Sequence, residues 1–181
     1  MIVMCSSRSH LAPREKMPLS DAEIRPALRS KILGDYGDAD SVLIEELGLC
    51  RGQVRVDMAL VNGHLHGFEI KSDRDSLKRL RTQAEIYSKV FDRMTIVAGK
   101  RHLDVVLKCL PPWWGVLKVV QGASGVRFKF HRKGRKNPNR DSRTLVELLW
   151  LDDAITFLEQ RDSARGVRGK PRRVVWDKVC D

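Results

Sequence analysis

The sequence predicts a mixed α/β (α+β) domain, a β-sheet flanked by helices, followed by a basic C-terminal extension. Three observations carry that reading. Residues 54–61 (VRVDMALV) alternate in character, Asn62-Gly63 is a two-residue hairpin signal, and HLHGFEIKS returns as the partner strand. Residues 75–91 (DSLKRLRTQAEIYSKVF) place Leu77, Leu80, Ala84, Tyr87 and Phe91 at steps of three and four, the stripe of an amphipathic helix. Strand-like and helix-like segments then alternate, as in a layered domain built around one sheet.

Taken in order, residues 1–18 read as a loose extension, with Met17 a second candidate start. Its four-residue apolar opening is too short for the apolar region of a signal peptide. Ser20 with Asp21 and Glu23 predicts a helix start, and Ile24, Leu28 and Ile32 give that helix an apolar face; Pro26 is tolerable only near its beginning. GDYGDAD is a turn-rich loop, and SVLIEELGL is a short apolar segment carrying Glu45 and Glu46. On the first hairpin strand Val54, Val56, Met58 and Leu60 face one way and Asp57 the other; on the second, Leu65, Gly67, Glu69 and Lys71 share a face. Asp73 or Asp75 is a natural N-cap for the helix that follows. DRMTIVAG reads as a buried strand, RHLDVVLKCL as a helix stopped by Pro111-Pro112, and WWGVLKVV as another strand. The core domain is thus expected over 19–122 and a basic, helical extension over 123–181. In the extension TLVELLWLDDAITFLEQ reads as one helix, a basic loop follows, and VVWDKVCD forms a short terminal helix.

The 181 residues are 42% hydrophobic, enough for a sizeable core. The formal net charge of +11 points to a polyanionic partner, most often nucleic acid. Residues 1–112 carry 18 Lys/Arg against 15 Asp/Glu and residues 113–181 carry 16 against 8, so the last third is the basic end. Cys5, Cys50, Cys109 and Cys180 are scattered, without the clustering of a zinc site or a disulfide framework, which predicts a reducing, cytoplasmic setting. No stretch approaches the length of an apolar membrane span, so no membrane partner is expected.

The hairpin also predicts a site. Residues two apart on a strand point to one side, so Glu69 and Lys71 are presented together, and Asp57 reaches them if Asn62-Gly63 sets the register. Clustered carboxylates repel unless a cation lies between them, and oxygen-only ligation suits Mg²⁺ or Mn²⁺. A metal, a positioned water and the Lys71 ammonium are the parts that phosphodiester hydrolysis needs.

The order Glu46, Asp57, Glu69-Ile70-Lys71 resembles the signature of the PD-(D/E)XK nuclease superfamily, and Gln83 with Tyr87 resembles the Q-x-x-x-Y motif of its RecB-like branch. Roughly residues 20–120 are similar to small bacterial proteins assigned to that superfamily; Val56-Asp57 departs from the name-giving Pro-Asp. The resemblance implies a restriction-endonuclease-like fold and a divalent-metal-dependent nuclease acting on DNA. It implies Asp57, Glu69 and the Ile70 carbonyl as metal ligands, Glu46 (an acid from the first helix, with Glu45 its rival) completing the shell, and Lys71 handling the water. Gln83, Tyr87 and Arg79 would support the site or touch substrate. A homodimer is the expectation if both strands of a duplex are cut.

The basic stretch 127–143, with Arg132, Lys133, Arg135 and Lys136 among its eight Lys/Arg, can follow a phosphate backbone or form a solvated loop. The plain alternative for Asp57, Glu69 and Lys71 is a cross-strand salt bridge, worth about 0–1 kcal/mol at a surface. Two other functions stay open: a nucleic-acid-binding or regulatory module on a nuclease-like fold with little or no turnover alone, and an RNA-directed nuclease. Trp113-Trp114 is core packing or a base-stacking platform, and His64 and His66 are hairpin residues or ligands.

Overall fold

A computed structural model describes residues 17–123 and 125–181; the first sixteen residues of the predicted N-terminal extension, Cys5 among them, lie outside the described residues. The sheet has six strands in the order β1-β2-β3-β4-β5-β6, formed by Val42–Leu49, Val54–Val61, Leu65–Lys71, Arg93–Ala98, Gly115–Gly122 and Gly125–Arg132. The first three strands form an antiparallel meander, β3/β4 and β4/β5 are parallel, and β5/β6 closes as an antiparallel hairpin. The mixed α/β class expected from the sequence is the one observed.

Parallel neighbours need a crossover, and helices supply both. α2 (Leu80–Val90) joins β3 to β4, and α3 (Leu103–Cys109), entered through a 3₁₀ turn at Lys100–His102, joins β4 to β5. Both cover one face of the sheet, where Tyr87, Phe91, Met94, Ile96, Trp114 and Val116 form the larger core. The other face is covered by α1 (Asp21–Tyr36), whose Ile24, Leu28 and Ile32 are fully buried against Met58, Leu60, Phe68, Ile70, Val97 and Leu117. The Glu23 carboxylate accepts from both the amide and the hydroxyl of Ser20 and so fastens the start of α1. Gly67 is required for close approach: a Cβ there would lie 2.3 Å from Met94 Sδ and 3.0 Å from the Phe91 ring.

Several elements differ from expectation, each for a local reason. SVLIEELGL forms strand β1, so Glu46 is an acid on a strand and not on the first helix. α2 begins later than its apolar stripe suggested, because Asp73 accepts from the Arg101 amide and Asp75 from the Ser72 amide, which keeps 72–79 in turns. The sheet also runs past residue 122. β6 pairs with β5 along its whole length, and Asn137 donates to the Ser88 and Phe91 carbonyls, so 127–143 is an edge strand and a pinned segment. The long C-terminal helix is broken into α4 (Ser142–Val146) and α5 (Leu151–Glu159), with α6 (Arg172–Cys180) after the basic loop. Leu145 and Leu148 pack on the sheet core while Ala154 and Leu158 join Val146, Val167, Val175 and Trp176 in a separate cluster. A straight helix would not serve both, and the break falls at Glu147–Trp150. Among the described residues no helix is long and apolar enough to cross a membrane.

Candidate functional site

The hairpin register builds the site. Met58 lies opposite Phe68, which brings Asp57 level with Glu69 where the β2/β3 ladder ends. The Asp57 carboxylate then takes the Ile70 amide at 2.7 Å, a donor the ladder leaves unpaired. On the other side of β2, Glu45 faces Met58 and Leu47 faces Val56, which places Glu46 beside Asp57, its backbone at a positive φ of 55°. Arg25, reaching over from α1, bridges them: its guanidinium is 2.9 Å from Asp57 Oδ1, 3.0 Å from Glu46 Oε1 and 3.1 Å from Asp21 Oδ2. Glu45 pairs with Arg29 instead and does not line the cleft.

Glu69 is 2% exposed and its carboxylate is fully engaged. Oε1 accepts from Lys71 Nζ at 2.6 Å and Gln83 Nε2 at 2.7 Å, and Oε2 lies 2.9 Å from the Tyr87 hydroxyl. That hydroxyl is also 2.7 Å from the Arg55 carbonyl, so one proton faces two acceptors. Burial, and secondly the Asp57 charge, pushes the Glu69 carboxyl up to about 7. Protonated Glu69 resolves the conflict: it donates to Tyr87, which donates to Arg55. Burial likewise raises Asp57 against the pull of the Ile70 amide and Arg25, and raises Tyr87, so the phenol stays protonated. Gln83 Oε1 is buried without a partner.

These groups floor a cleft of about 940 Å³ whose mouth carries Arg55 and Arg79. The structure therefore brings Glu46, Asp57, Glu69, Ile70, Lys71, Gln83 and Arg79 together, with Tyr87 behind them, and leaves the remaining expected contacts elsewhere. Arg132 is spent on the Trp114 and Pro111 carbonyls, and Lys133, Arg135 and Lys136 are exposed beyond β6, outside the cleft. Trp113 and Trp114 are core residues, and His66 is buried against Phe68 with Nε2 2.9 Å from the Thr95 hydroxyl. Sequence reasoning missed Arg25, because no local pattern links α1 to β2 across 32 residues of chain.

The donors are all oxygen, the type a hard cation takes, but burial holds both carboxyls above their ordinary range, so a cation would have to displace a proton to be held. Asp57, Glu69 and the Ile70 carbonyl would hold Mg²⁺ or Mn²⁺, with Arg25 and Lys71 yielding their places on the two carboxylates. Among the described residues no three His, Cys, Asp or Glu side chains gather as one metal cluster, so such an ion would keep several waters.

A family model for bacteriophage P4 protein cII matches residues 18–179. Protein cII of Enterobacteria phage P4 is 37% identical over 117 residues, covering 65% of this chain and 44% of that protein, so the chain spans less than half the length of this relative. Among solved structures, a protein of unknown function from Silicibacter pomeroyi aligns with a TM-score of 0.43 and 19% identity over 82% of this chain and 90% of that one. The family match overturns the expected membership of the PD-(D/E)XK superfamily, and with it the reading of the chain as a metal-dependent nuclease, a hydrolase of DNA or RNA. The motif misled because its spacing records convergence in space: a tight hairpin aligns Asp57 with Glu69-x-Lys71, and one turn of α2 supplies Gln83 and Tyr87 to satisfy a buried carboxylate. By a match that runs over nearly its whole described length, the chain belongs to the bacteriophage P4 protein cII family.

Proposed function

We propose that the protein is a nucleic-acid-binding regulatory module, acting on DNA in the cytoplasm. The observation that carries this reading is where the charge lies. Five acidic and four basic residues line the cleft and nearly cancel, whereas residues 113–181 hold 16 Lys/Arg against 8 Asp/Glu. Among the described residues the basic excess therefore lies outside the cleft, where it attracts a polyanion. Free Cys50, Cys109 and Cys180 suit a reducing compartment. In this reading the cluster of Asp57, Glu69 and Lys71 is an ion network that organises the hairpin, and it accepts Mg²⁺ or Mn²⁺ as a ligand of the folded state. A homodimer would match the two-fold symmetry of a palindromic site.

Fluorescence anisotropy tests the proposal with labelled duplex DNA, single-stranded DNA and RNA over a range of salt. Binding to DNA whose log affinity falls linearly with log salt is expected, with a slope of about −0.9 per phosphate neutralised. Absence of DNA binding at low salt refutes the proposal, and tighter binding to RNA than to either DNA removes DNA as the partner.

A further inference from the structure

The turn between β1 and β2 is built at a conformational cost. Cys50 and Arg51, neither of them glycine, have φ of 49° and 58°, and Gly52 follows at 83°. The Gly52 amide closes the turn on the Leu49 carbonyl, so both central residues are left-handed where Asn-Gly would ordinarily stand. This conformation sets the Arg51 guanidinium 5.8 Å from the ring of Trp176 on α6. Arg172, one turn earlier on α6, lies 5.5 Å from the same ring. Two like charges thus share one buried indole, no more than about 11 Å apart by those distances. Among the described residues neither has a carboxylate within ion-pair distance, nor has the exposed Arg173, next in sequence to Arg172.

The loop leading into α6 is held in shape. Val167 is buried, the Lys170 amide bonds the Val167 carbonyl, and Lys178 Nζ bonds the Arg165 carbonyl at 2.9 Å. Gly166 and Gly169, at φ of 78° and 74°, supply its left-handed positions. Two cations held within about 11 Å of each other with no carboxylate beside either repel, and a polyanion lying across both relieves that repulsion. We infer that Arg51, Arg172 and Arg173 form the contact surface for the phosphate backbone of duplex DNA, at the rim where the β1–β2 turn meets α6. This inference rests on the DNA-binding reading above and relocates its surface from the basic stretch 127–143.

Two triple variants test it against wild type by anisotropy with duplex DNA: Arg51→Gln/Arg172→Gln/Arg173→Gln, and Lys129→Gln/Lys133→Gln/Lys136→Gln. The rim triple is expected to flatten the salt slope by about three units, near one per phosphate contact, and the second triple by less than one. Arg51→Gly separates binding from folding: it relieves the left-handed strain, so its Tm rises while its slope falls by about one unit. A rim triple that binds as wild type does, or a second triple that loses more, overturns the inference and leaves the DNA-binding reading standing. Failure of wild type itself to bind overturns both.

Discussion

Glu69→Gln reports directly on the electrostatics of the cleft. The folded protein holds the Glu69 carboxyl at about 7, against an ordinary value of 4.5. Because the folded-state value is raised, the folded chain binds a proton that the unfolded chain has released between those limits. The stability this proton confers is fully present below about pH 4.5 and is lost as pH rises through about 7. At about 1.4 kcal/mol per unit, the loss amounts to about 3 kcal/mol. Glutamine keeps the size of the side chain and cannot ionise, so this loss is absent from the variant. Changed hydrogen bonding displaces the whole curve, whereas the ion pair with Lys71 forms only as Glu69 ionises and is already contained in its folded-state value, so the pH-dependent part of the difference belongs to Glu69. Urea unfolding followed by tryptophan fluorescence should show wild-type stability minus variant stability falling by about 3 kcal/mol between about pH 4.5 and about pH 7.5. A difference that is flat over that interval, or that rises, refutes the account of Glu69 as a carboxyl destabilised by burial and by Asp57.

His66 carries the opposite sign. Burial, helped by Arg93, lowers it to about 3, so the folded chain lacks a proton that the unfolded chain takes up below about 6.5, and wild type loses about 1.4 kcal/mol per pH unit below that point; His66→Gln should remove this acid sensitivity in the same unfolding series. Trp114 is fully buried between the α2 side of the sheet and Tyr87, and Trp114→Ala should cost about 3–5 kcal/mol by denaturant unfolding. Mn²⁺ bound between Asp57 and Glu69 should displace the Glu69 proton, so calorimetry near pH 6.5 in buffers of different ionisation enthalpy should show proton release that Asp57→Asn abolishes.

What the sequence disclosed depends on whether the governing interaction is local. The β2–β3 hairpin was legible from Asn62-Gly63 and a period of two, but its register was not: a two-residue turn would set Val61 against His64 and Asp57 against Phe68, whereas Val61 pairs with Leu65 across a three-residue loop, and this register aligns Asp57 with Glu69. Tyr87 followed from helical spacing, and Gln83 from its resemblance to the Q-x-x-x-Y motif. β1 was not legible: VLIEELGL has no clean alternation, and its left-handed Glu46 interrupts the pattern of a strand. β6 was hidden by its composition, since an exposed edge strand rich in Arg and Lys resembles a solvated loop until its pairing with β5 is known. The break at Glu147–Trp150 arises from the positions of two separate cores, which no periodicity in that segment records. The motif's spacing likewise reported which side chains meet, and carried no information on whether a reaction occurs there.

The cleft ties that meeting point to the rest of the fold. A buried carboxyl held near neutrality is stabilised by a proton, and equally by a cation able to enter between Asp57 and Glu69. Arg25 bonds both the side chain and the carbonyl of Asp57, and it holds Glu46 and Asp21 as well, so it joins α1 to two strands through one guanidinium. An ion that takes Asp57 Oδ1 removes one of these bonds and leaves Arg25 to Glu46 and Asp21. An ion there would therefore be felt in the seating of α1 and in the placement of β1, the strand that runs into Arg51. A change in the ion network has a short covalent path, five residues from Glu46 to Arg51, to the rim proposed to contact DNA.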